Sequence, residues 1–415
     1  MDSEDEYLEE KYHGSARHGT VFSGYTVMTK SLLGSGILSI AFACAKTGLI
    51  LGLIMLLFAG ILTWASLHVI CRLGMEFPSN EITFYSITEK VIPRAKWLLD
   101  VAVVIDCIGS AICFIQVMGS LLGTGFIEMF GNGNLSERLI VIIIQIIVVL
   151  LLYPLCLMKE ITDTKIANLV GLACLAYVAI LSMAYTDLSK VSSDLLFPMD
   201  AMKAISAFPI MIFACACQQN VLSVVSEMKD PSMKKLDLVT GSSIVTGLIM
   251  YVPVMILPFL TFGRSNMKAH TFFGLLQPTP AVKVGYICAA IAIAISFVLV
   301  VHPTRRSIMS LMYGTEFPSG SKEVKVRYSL VTGIVVLCLG VAMAAGNSLG
   351  PTVEFTGLLG ANTCGFVMPF LLYLLQFGFD WKSVSSVTVG AMLVFCIALY
   401  PIGITATVMG IVNDS

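Results

Sequence analysis

Lys-Ser-Leu-Leu-Gly-Ser-Gly-Ile at positions 30–37 interrupts the first long apolar run of this chain. Between Val21 and Ala45 the only full charge is Lys30, and about 20 residues are enough to cross a bilayer. Glycines on both sides of a serine weaken a helix near the middle of the run. Lys30 stands about 13 Å deep at a rise of about 1.5 Å per residue, where an unpaired ammonium costs at least about 2.5–3.5 kcal/mol. A weakened helix beside a buried cation indicates a binding site.

The composition is that of a membrane protein. Of the 415 residues, 57% are hydrophobic and 12% are charged, whereas soluble domains carry about 25% charged residues. The net charge is −1 and no basic tract is present, so we expect the lipid bilayer and no nucleic acid as a partner. Residues 1–20 are acidic and polar and lack the features of a signal peptide, which predicts a disordered cytosolic tail.

The apolar runs predict an all-α polytopic membrane protein with eleven transmembrane helices. Seventeen lysines and arginines fall in the segments on the N-terminal side of the membrane and seven in the opposite segments. Because basic residues accumulate in cytosolic loops, we expect a cytosolic N-terminus and an extracellular or luminal C-terminus. The sequons at Asn134 and Asn413 fall on the outer side, and Asn134 is the glycosylation candidate. The predicted spans cover about 22–45, 48–72, 97–129, 138–157, 164–186, 203–228, 236–262, 280–302, 326–346, 351–376 and 384–411.

The sixth span contains a second interruption. Three consecutive amides, Gln218-Gln219-Asn220, follow the apolar run that ends at Cys217. One interpretation is a helix that ends there and continues along the membrane surface. The other is a discontinuous helix that matches the break in span one, because paired breaks five spans apart are typical of inverted-repeat transporters. The second interpretation predicts a transporter domain at 21–412, with repeats at about 21–186 and 203–376 and an extra helix at about 384–411.

Asp106 is the other full charge that stands out inside a span. It lies nine residues into the third span, as Lys30 does in the first. Two opposite charges at matched depth suggest an ion pair, or a pair that exchanges a proton, inside the helix bundle. The alternative is that each charge faces its own aqueous vestibule.

No enzyme chemistry is indicated. The chain has no nucleophile–base arrangement, phosphate loop or HExxH motif, so we expect no catalytic residue and no cofactor. Twelve cysteines include no CxxC pair, which predicts packing residues and neither a metal site nor disulfides. We expect the eighth span to end at His302, where Arg305 and Arg306 cap the helix C-terminus and meet anionic lipid.

These residues resemble the amino acid/auxin permeases of the amino acid–polyamine–organocation superfamily, and among them the sodium-coupled neutral amino-acid transporters. The resemblance covers nearly the whole chain from about Val21. Gly34-Ser35-Gly36-Ile37-Leu38-Ser39, followed by Ala43, Ala45 and Gly48, is similar to the family's first-helix motif. Weaker likenesses are Phe213–Cys217 with Val221-Leu222 and Ser226-Glu227-Met228, and Pro303-x-Arg305 after span eight.

The resemblance implies a five-plus-five inverted-repeat fold with one extra helix, which moves amino acids by alternating access with Na⁺ or H⁺. It places the substrate carboxylate on backbone N–H groups at Ser35, Gly36 and Ile37, in agreement with anion binding at a helix N-terminus. It places the substrate amino group on carbonyls of the broken sixth helix. The predicted substrate-binding set is Ser31, Gly34, Ser35, Gly36, Ile37, Phe213, Ala214, Cys215 and Cys217, and the predicted coupling-ion or proton set is Lys30, Asp106 and Ser296.

The chain departs from the sodium-coupled members at two places. They have asparagine where Lys30 stands, and His-Pro-Glu where this chain has Gln218-Gln219-Asn220. An ammonium at position 30 occupies the place of sodium or repels it, so we predict proton coupling or uniport, with Lys30 as a built-in cation or a titrating group.

Three classes of protein are considered: a secondary amino-acid transporter, which is the prediction, an amino-acid sensor on the same fold, and a channel or membrane enzyme. A sodium-coupled symporter is the alternative mechanism. The small apolar lining favours neutral amino acids. Cationic substrates stay open, because Asp106 or Glu354 would supply a counter-charge for them. The sequence leaves open the oligomeric state and whether the membrane is the plasma membrane or a vacuolar or lysosomal one.

Overall fold

The computed structural model describes most of the chain, with gaps in the connecting segments. The described residues are 19–34, 36–77, 82–131, 135–158, 165–187, 189, 195–198, 200–266, 272–277, 279–314, 318–346 and 349–414. The predicted acidic tail, apart from its last two residues, lies outside them, and so do Ser35 and Asn134.

The described residues form α-helices almost throughout. A chain that crosses lipid must satisfy its backbone hydrogen bonds internally, and a helix does so within one segment. Among the described residues, one parallel bridge joins Gly19 to Met228. The helices are α1 (Val21–Leu32), α2 (Gly36–Thr47), α3 (Leu49–Gly74), α4 (Phe84–Val91), α5 (Leu98–Phe130), α6 (Glu137–Cys156), α7 (Lys165–Ala184), α8 (Ala201–Cys215), α9 (Val221–Glu227), α10 (Met233–Asn266), α11 (Pro280–Tyr313), α12 (Gly320–Ala345), α13 (Leu349–Phe355), α14 (Met368–Phe377) and α15 (Val384–Asp414).

These helices confirm the prediction of an all-α polytopic membrane protein. In the part of the chain that the structure describes, ten helical segments are long and apolar enough to cross a membrane. The bent pair α1 and α2, inclined by 47°, makes the eleventh. Helices α8 and α9 belong to one span, and α13 and α14 are joined into another by two π-helical turns, Thr356–Ala361 and Thr363–Val367.

The end predicted for the eighth span is wrong. Helix α11 continues through Pro303 to Tyr313. Arg305 Nη1 donates to the Met158 carbonyl at 3.0 Å, and Arg306 Nη2 donates to the Ile82 carbonyl at 3.1 Å. Because loop carbonyls accept hydrogen bonds from the two guanidinium groups, both arginines can lie inside the protein on a continuous helix. They do not cap its C-terminus. The short helix α4 was not predicted either.

The broken spans occupy the centre of the bundle. In the most apolar part of the sixth span 94% of residues are buried, compared with 22% in α6 and in α15. Gly36 opens α2 directly against α8, where an added Cβ would lie 2.4 Å from the Ala214 Cα. Only glycine permits this approach, which brings the two breaks together.

Candidate functional site

The first break removes one turn of helix between α1 and α2. Leu33, with φ −83° and ψ 68°, leaves the helical conformation, and its N–H bonds back to the Thr29 carbonyl at 3.0 Å. The Leu32 and Leu33 carbonyls are therefore outside the regular helical ladder. The Gly34 N–H donates to the Leu32 carbonyl at 2.9 Å, and side chains supply the other donors.

The second break separates α8 from α9. Ala216 is extended, with ψ 123°, and Gln218–Asn220 form a single 3₁₀ turn. The three amides are buried, with exposed fractions of 1%, 7% and 0%. The interpretation as a helix that continues along the membrane surface is thus wrong, and the predicted discontinuous helix is confirmed. Gln218 stabilises the break because its Oε1 accepts from the Cys217 N–H at 2.9 Å.

Tyr251 of α10 links the two breaks. Its hydroxyl oxygen lies 2.5 Å from the Leu32 carbonyl oxygen and 2.5 Å from the Ala214 carbonyl oxygen, so its one proton is shared between the two acceptors, and its side chain is fully buried. Thr63 of α3 adds a donor to the Cys215 carbonyl at 3.3 Å. The sequence analysis missed both residues, because an isolated tyrosine or threonine in an apolar span carries no signal of the carbonyl it will meet.

Replacing Tyr251 by phenylalanine should loosen both breaks. The change leaves buried carbonyl groups without their shared donor, which costs about 1–3 kcal/mol. We expect a lower free energy of unfolding in detergent and slower transport. Tyr177→Phe is the control, because its hydroxyl donates to the Ala281 carbonyl at an exposed site. Equal effects of the two substitutions would contradict the role given to Tyr251.

Lys30 lies at the C-terminal end of α1 with no exposed surface. Its Nζ donates to the Leu33 carbonyl at 3.2 Å and to the Ser296 hydroxyl of α11. The stem passes over Gly171 of α7, where an added Cβ would lie 2.5 Å from the lysine Cε. The cation is stabilised there by the negative end of the helix dipole and by freed backbone oxygen.

The hypothesis of an ion pair between Lys30 and Asp106 is wrong. Asp106 faces span ten, where an added Cβ at Gly360 would lie 2.6 Å from the Asp106 Cα and 3.0 Å from the Asp106 Cβ. The two side chains leave their helices toward different neighbours. The alternative of two aqueous vestibules does not fit either, because both residues are buried.

A cavity of about 20 Å³ lies between the breaks, which is room for about one water molecule. Five predicted site residues line it: Ser31, Gly34, Gly36, Phe213 and Ser296. Eight other residues complete the lining: Leu32, Ser110, Phe114, Ala216, Gln219, Asn220, Leu299 and Val300. The predicted residues that are not part of the lining are Ile37, Ala214, Cys215, Cys217, Lys30 and Asp106.

Part of the unpredicted lining follows a helical spacing. Phe114 lies four residues after Ser110 on α5, and Val300 lies four residues after Ser296 on α11. Residues four apart share one face of a helix. Once one lining residue on each helix is known, this spacing predicts the others.

Among the residues that the structure describes, no charged side chain lines the cavity. Its polar groups are hydroxyls and amides, and the Asn220 Nδ2 donates to the Ser31 Oγ at 2.8 Å. Glu354, considered above as a counter-charge for cationic substrates, is paired with Lys46 at 2.5 Å. Asp106 does not reach the cavity, so neither carboxylate provides the charge that a cationic side chain would need.

Two broken spans around a small polar cavity in a polytopic helix bundle define a membrane transporter with discontinuous helices. The chain belongs to the transmembrane amino acid transporter protein family, whose sequence model matches residues 17–413. This confirms the family resemblance seen in the sequence.

Three relatives illustrate how the chain compares with known proteins. It is 22% identical over 362 residues to Vacuolar amino acid transporter 5 of Schizosaccharomyces pombe, covering 85% of this chain and 83% of that protein. It is 24% identical to Vacuolar amino acid transporter 6 of Saccharomyces cerevisiae, covering 71% of this chain and 66% of that protein. It is 22% identical to Amino acid transporter AVT6E of Arabidopsis thaliana, covering 87% and 76%.

Proposed function

We propose that this protein moves neutral amino acids across a membrane by alternating access. The observation that carries the proposal is the uncharged cavity between two broken spans. Half-helix ends can bind the charged groups of a zwitterion, and a lining without charge suits a neutral side chain. A cavity of about 20 Å³ is too small for an amino acid, so the spans around it must move before substrate can enter.

Lys30 supports sodium independence. Its ammonium contacts a backbone carbonyl and the Ser296 hydroxyl, and oxygen atoms of this kind also suit a metal cation. A protein-borne cation there fills the place that the family resemblance gives to sodium. With the sodium position filled by Lys30, the mechanism that we propose is proton coupling or uniport.

Asp106 is the candidate for a proton-binding group. It is buried against a span that contains two π-helical turns, and such turns occur often at functional sites. A carboxyl group that gains and loses a proton at this contact would change how α5 packs on span ten.

Asp106→Asn tests that role. The amide keeps the shape of the side chain but cannot release a proton. We expect amino-acid binding to persist while stimulation of uptake by a pH gradient falls at least about tenfold, the rate equivalent of about 1.4 kcal/mol. Asp100→Asn is the control, because it makes the same exchange at another buried carboxyl group of the same helix. Full stimulation in Asp106→Asn would remove Asp106 from the coupling.

The membrane we propose is the vacuolar one, because two of the relatives described above are named as vacuolar transporters. The positive-inside distribution adds a cytosolic N-terminus and a luminal C-terminus. Fluorescence from tags on each terminus in isolated vacuoles tests both statements.

Uptake of labelled amino acids into proteoliposomes tests the function, with the sodium and pH gradients varied independently. Saturable uptake of neutral amino acids without sodium is the expected result. Uptake that strictly needs sodium would overturn the role of Lys30. Binding without uptake under any gradient would instead identify a sensor.

A further inference from the structure

Four of the backbone carbonyls between Phe213 and Cys217, where the family resemblance places the substrate amino group, already have donors among the described residues. The Phe213 carbonyl accepts from the Ala216 N–H at 3.2 Å, and the Cys217 carbonyl accepts from the Asn220 N–H at 3.3 Å. Tyr251 and Thr63 donate to the Ala214 and Cys215 carbonyls. These oxygens are therefore weaker candidates for binding a new cation than acceptors with no donor at all.

Two such acceptors lie at the cavity. The Gln219 Oε1 and the Asn220 Oδ1 are buried and have no hydrogen-bond partner among the described residues. Both side chains line the cavity, with exposed fractions of 7% and 0%. Buried polar groups are nearly always paired, so a pair of unpartnered oxygens on one wall points to a donor that arrives from outside.

Another part of the cavity lining has the complementary polarity. Helix α2 begins at Gly36 beside the same cavity and has no acidic residue in its first turn. The N–H groups of a helix start favour an anion. A ligand with a carboxylate at one end and N–H donors at the other would satisfy both walls.

We infer that the side-chain oxygens of Gln219 and Asn220 receive the substrate's α-ammonium group and select for ligands that carry it. The inference rests on the proposed amino-acid transport and names the residues that recognise the amino group. The Asn220–Ser31 hydrogen bond, 2.8 Å long, orients the Asn220 amide so that its oxygen is left for the ligand. In the empty site a water molecule fits the cavity and can donate to these oxygens until the ammonium displaces it.

The test compares binding of an amino acid with binding of the same acid without its α-amino group. The purified wild-type protein is first screened with the twenty amino acids, and the ligand that binds best is paired with its des-amino analogue, which is propionate for alanine. The variants are Gln219→Leu and Asn220→Leu. The control is Gln145→Leu, since Gln145 is also buried with an unpartnered Oε1 but lies on α6 away from the cavity.

We expect the wild type to prefer the amino acid and each cavity variant to lose about tenfold to a hundredfold of that preference, as befits a hydrogen bond to a charged group. The control should keep the preference. Gln219→Glu retains an acceptor oxygen and should also keep the preference. A loss in Gln219→Leu can then be assigned to recognition of the amino group and not to misfolding.

Three results would overturn the inference. They are an unchanged preference in both leucine variants, an equal loss for the amino acid and its analogue, and a loss that follows sodium concentration and not the amino group. If the wild type binds no amino acid at all, the proposed function fails and the inference falls with it. If the wild type binds and discriminates but the variants do so equally well, only the inference fails.

Discussion

Lys30→Asn should convert transport that ignores sodium into transport that requires it. Removing the ammonium leaves the Leu33 carbonyl and the Ser296 hydroxyl without their cation. Asparagine adds a further oxygen, and a sodium ion can then bind where Nζ lies now. A hydrogen bond to a charged group contributes about 1.5–3 kcal/mol, so uptake in sodium-free buffer should fall at least about tenfold and recover when sodium is added.

Lys30→Met is the informative companion. Methionine keeps the apolar stem but supplies neither a charge nor an oxygen, so we expect loss of uptake with little rescue by sodium. Lys325→Asn makes the same exchange at an exposed position of α12 and should change nothing. Sodium-independent uptake that survives in both Lys30 variants would show that the ammonium is dispensable.

Gly171→Ala tests the same interaction from the neighbouring helix. The new methyl group would lie 2.5 Å from the Lys30 Cε, and the lysine stem is flexible enough to move aside. We expect a shift of the ammonium and a partial loss of uptake, smaller than in Lys30→Met, measured in the same proteoliposomes.

Gly36→Ala should abolish transport. The added Cβ would lie 2.4 Å from the Cα and 2.6 Å from the Cβ of Ala214. Both contacts are with the main chain or the first atom of a side chain, so α2 and α8 must move apart. Overpacking of this kind costs about 1–3 kcal/mol, and it separates the two breaks that enclose the cavity.

Gly333→Ala is the matched control. It makes the same change inside α12, where an added Cβ meets no atom within 4 Å, and a glycine-to-alanine change in a helix interior is favourable by about 0.5–1 kcal/mol. The unfolding temperature in detergent should therefore fall in Gly36→Ala and rise slightly in Gly333→Ala, and the initial uptake rate should be lost only in Gly36→Ala. Normal uptake in Gly36→Ala would show that the close contact is not needed for transport.

The breaks could be predicted because their signals are local. Gly34 and Gly36 weaken a helix wherever it packs, and Gln218–Asn220 interrupt an apolar run whatever surrounds them. The C-terminal end of α11 and the existence of α4 were harder to predict. Arg305 and Arg306 remain in a helix because Met158 and Ile82 supply carbonyls from other segments. The division into two repeats stays a prediction.

Sequence alone predicted the number of spans, the two interruptions and a depth for Lys30, because hydropathy and a fixed rise of about 1.5 Å per residue place a side chain along the membrane normal. Depth does not tell in which direction around the helix axis a side chain points, and each residue turns that direction by about 100°. Packing decided it. Lys30 is turned toward Ser296 and Asp106 toward Gly360, so two charges at matched depth do not meet, and Tyr251 reaches both breaks from a third helix.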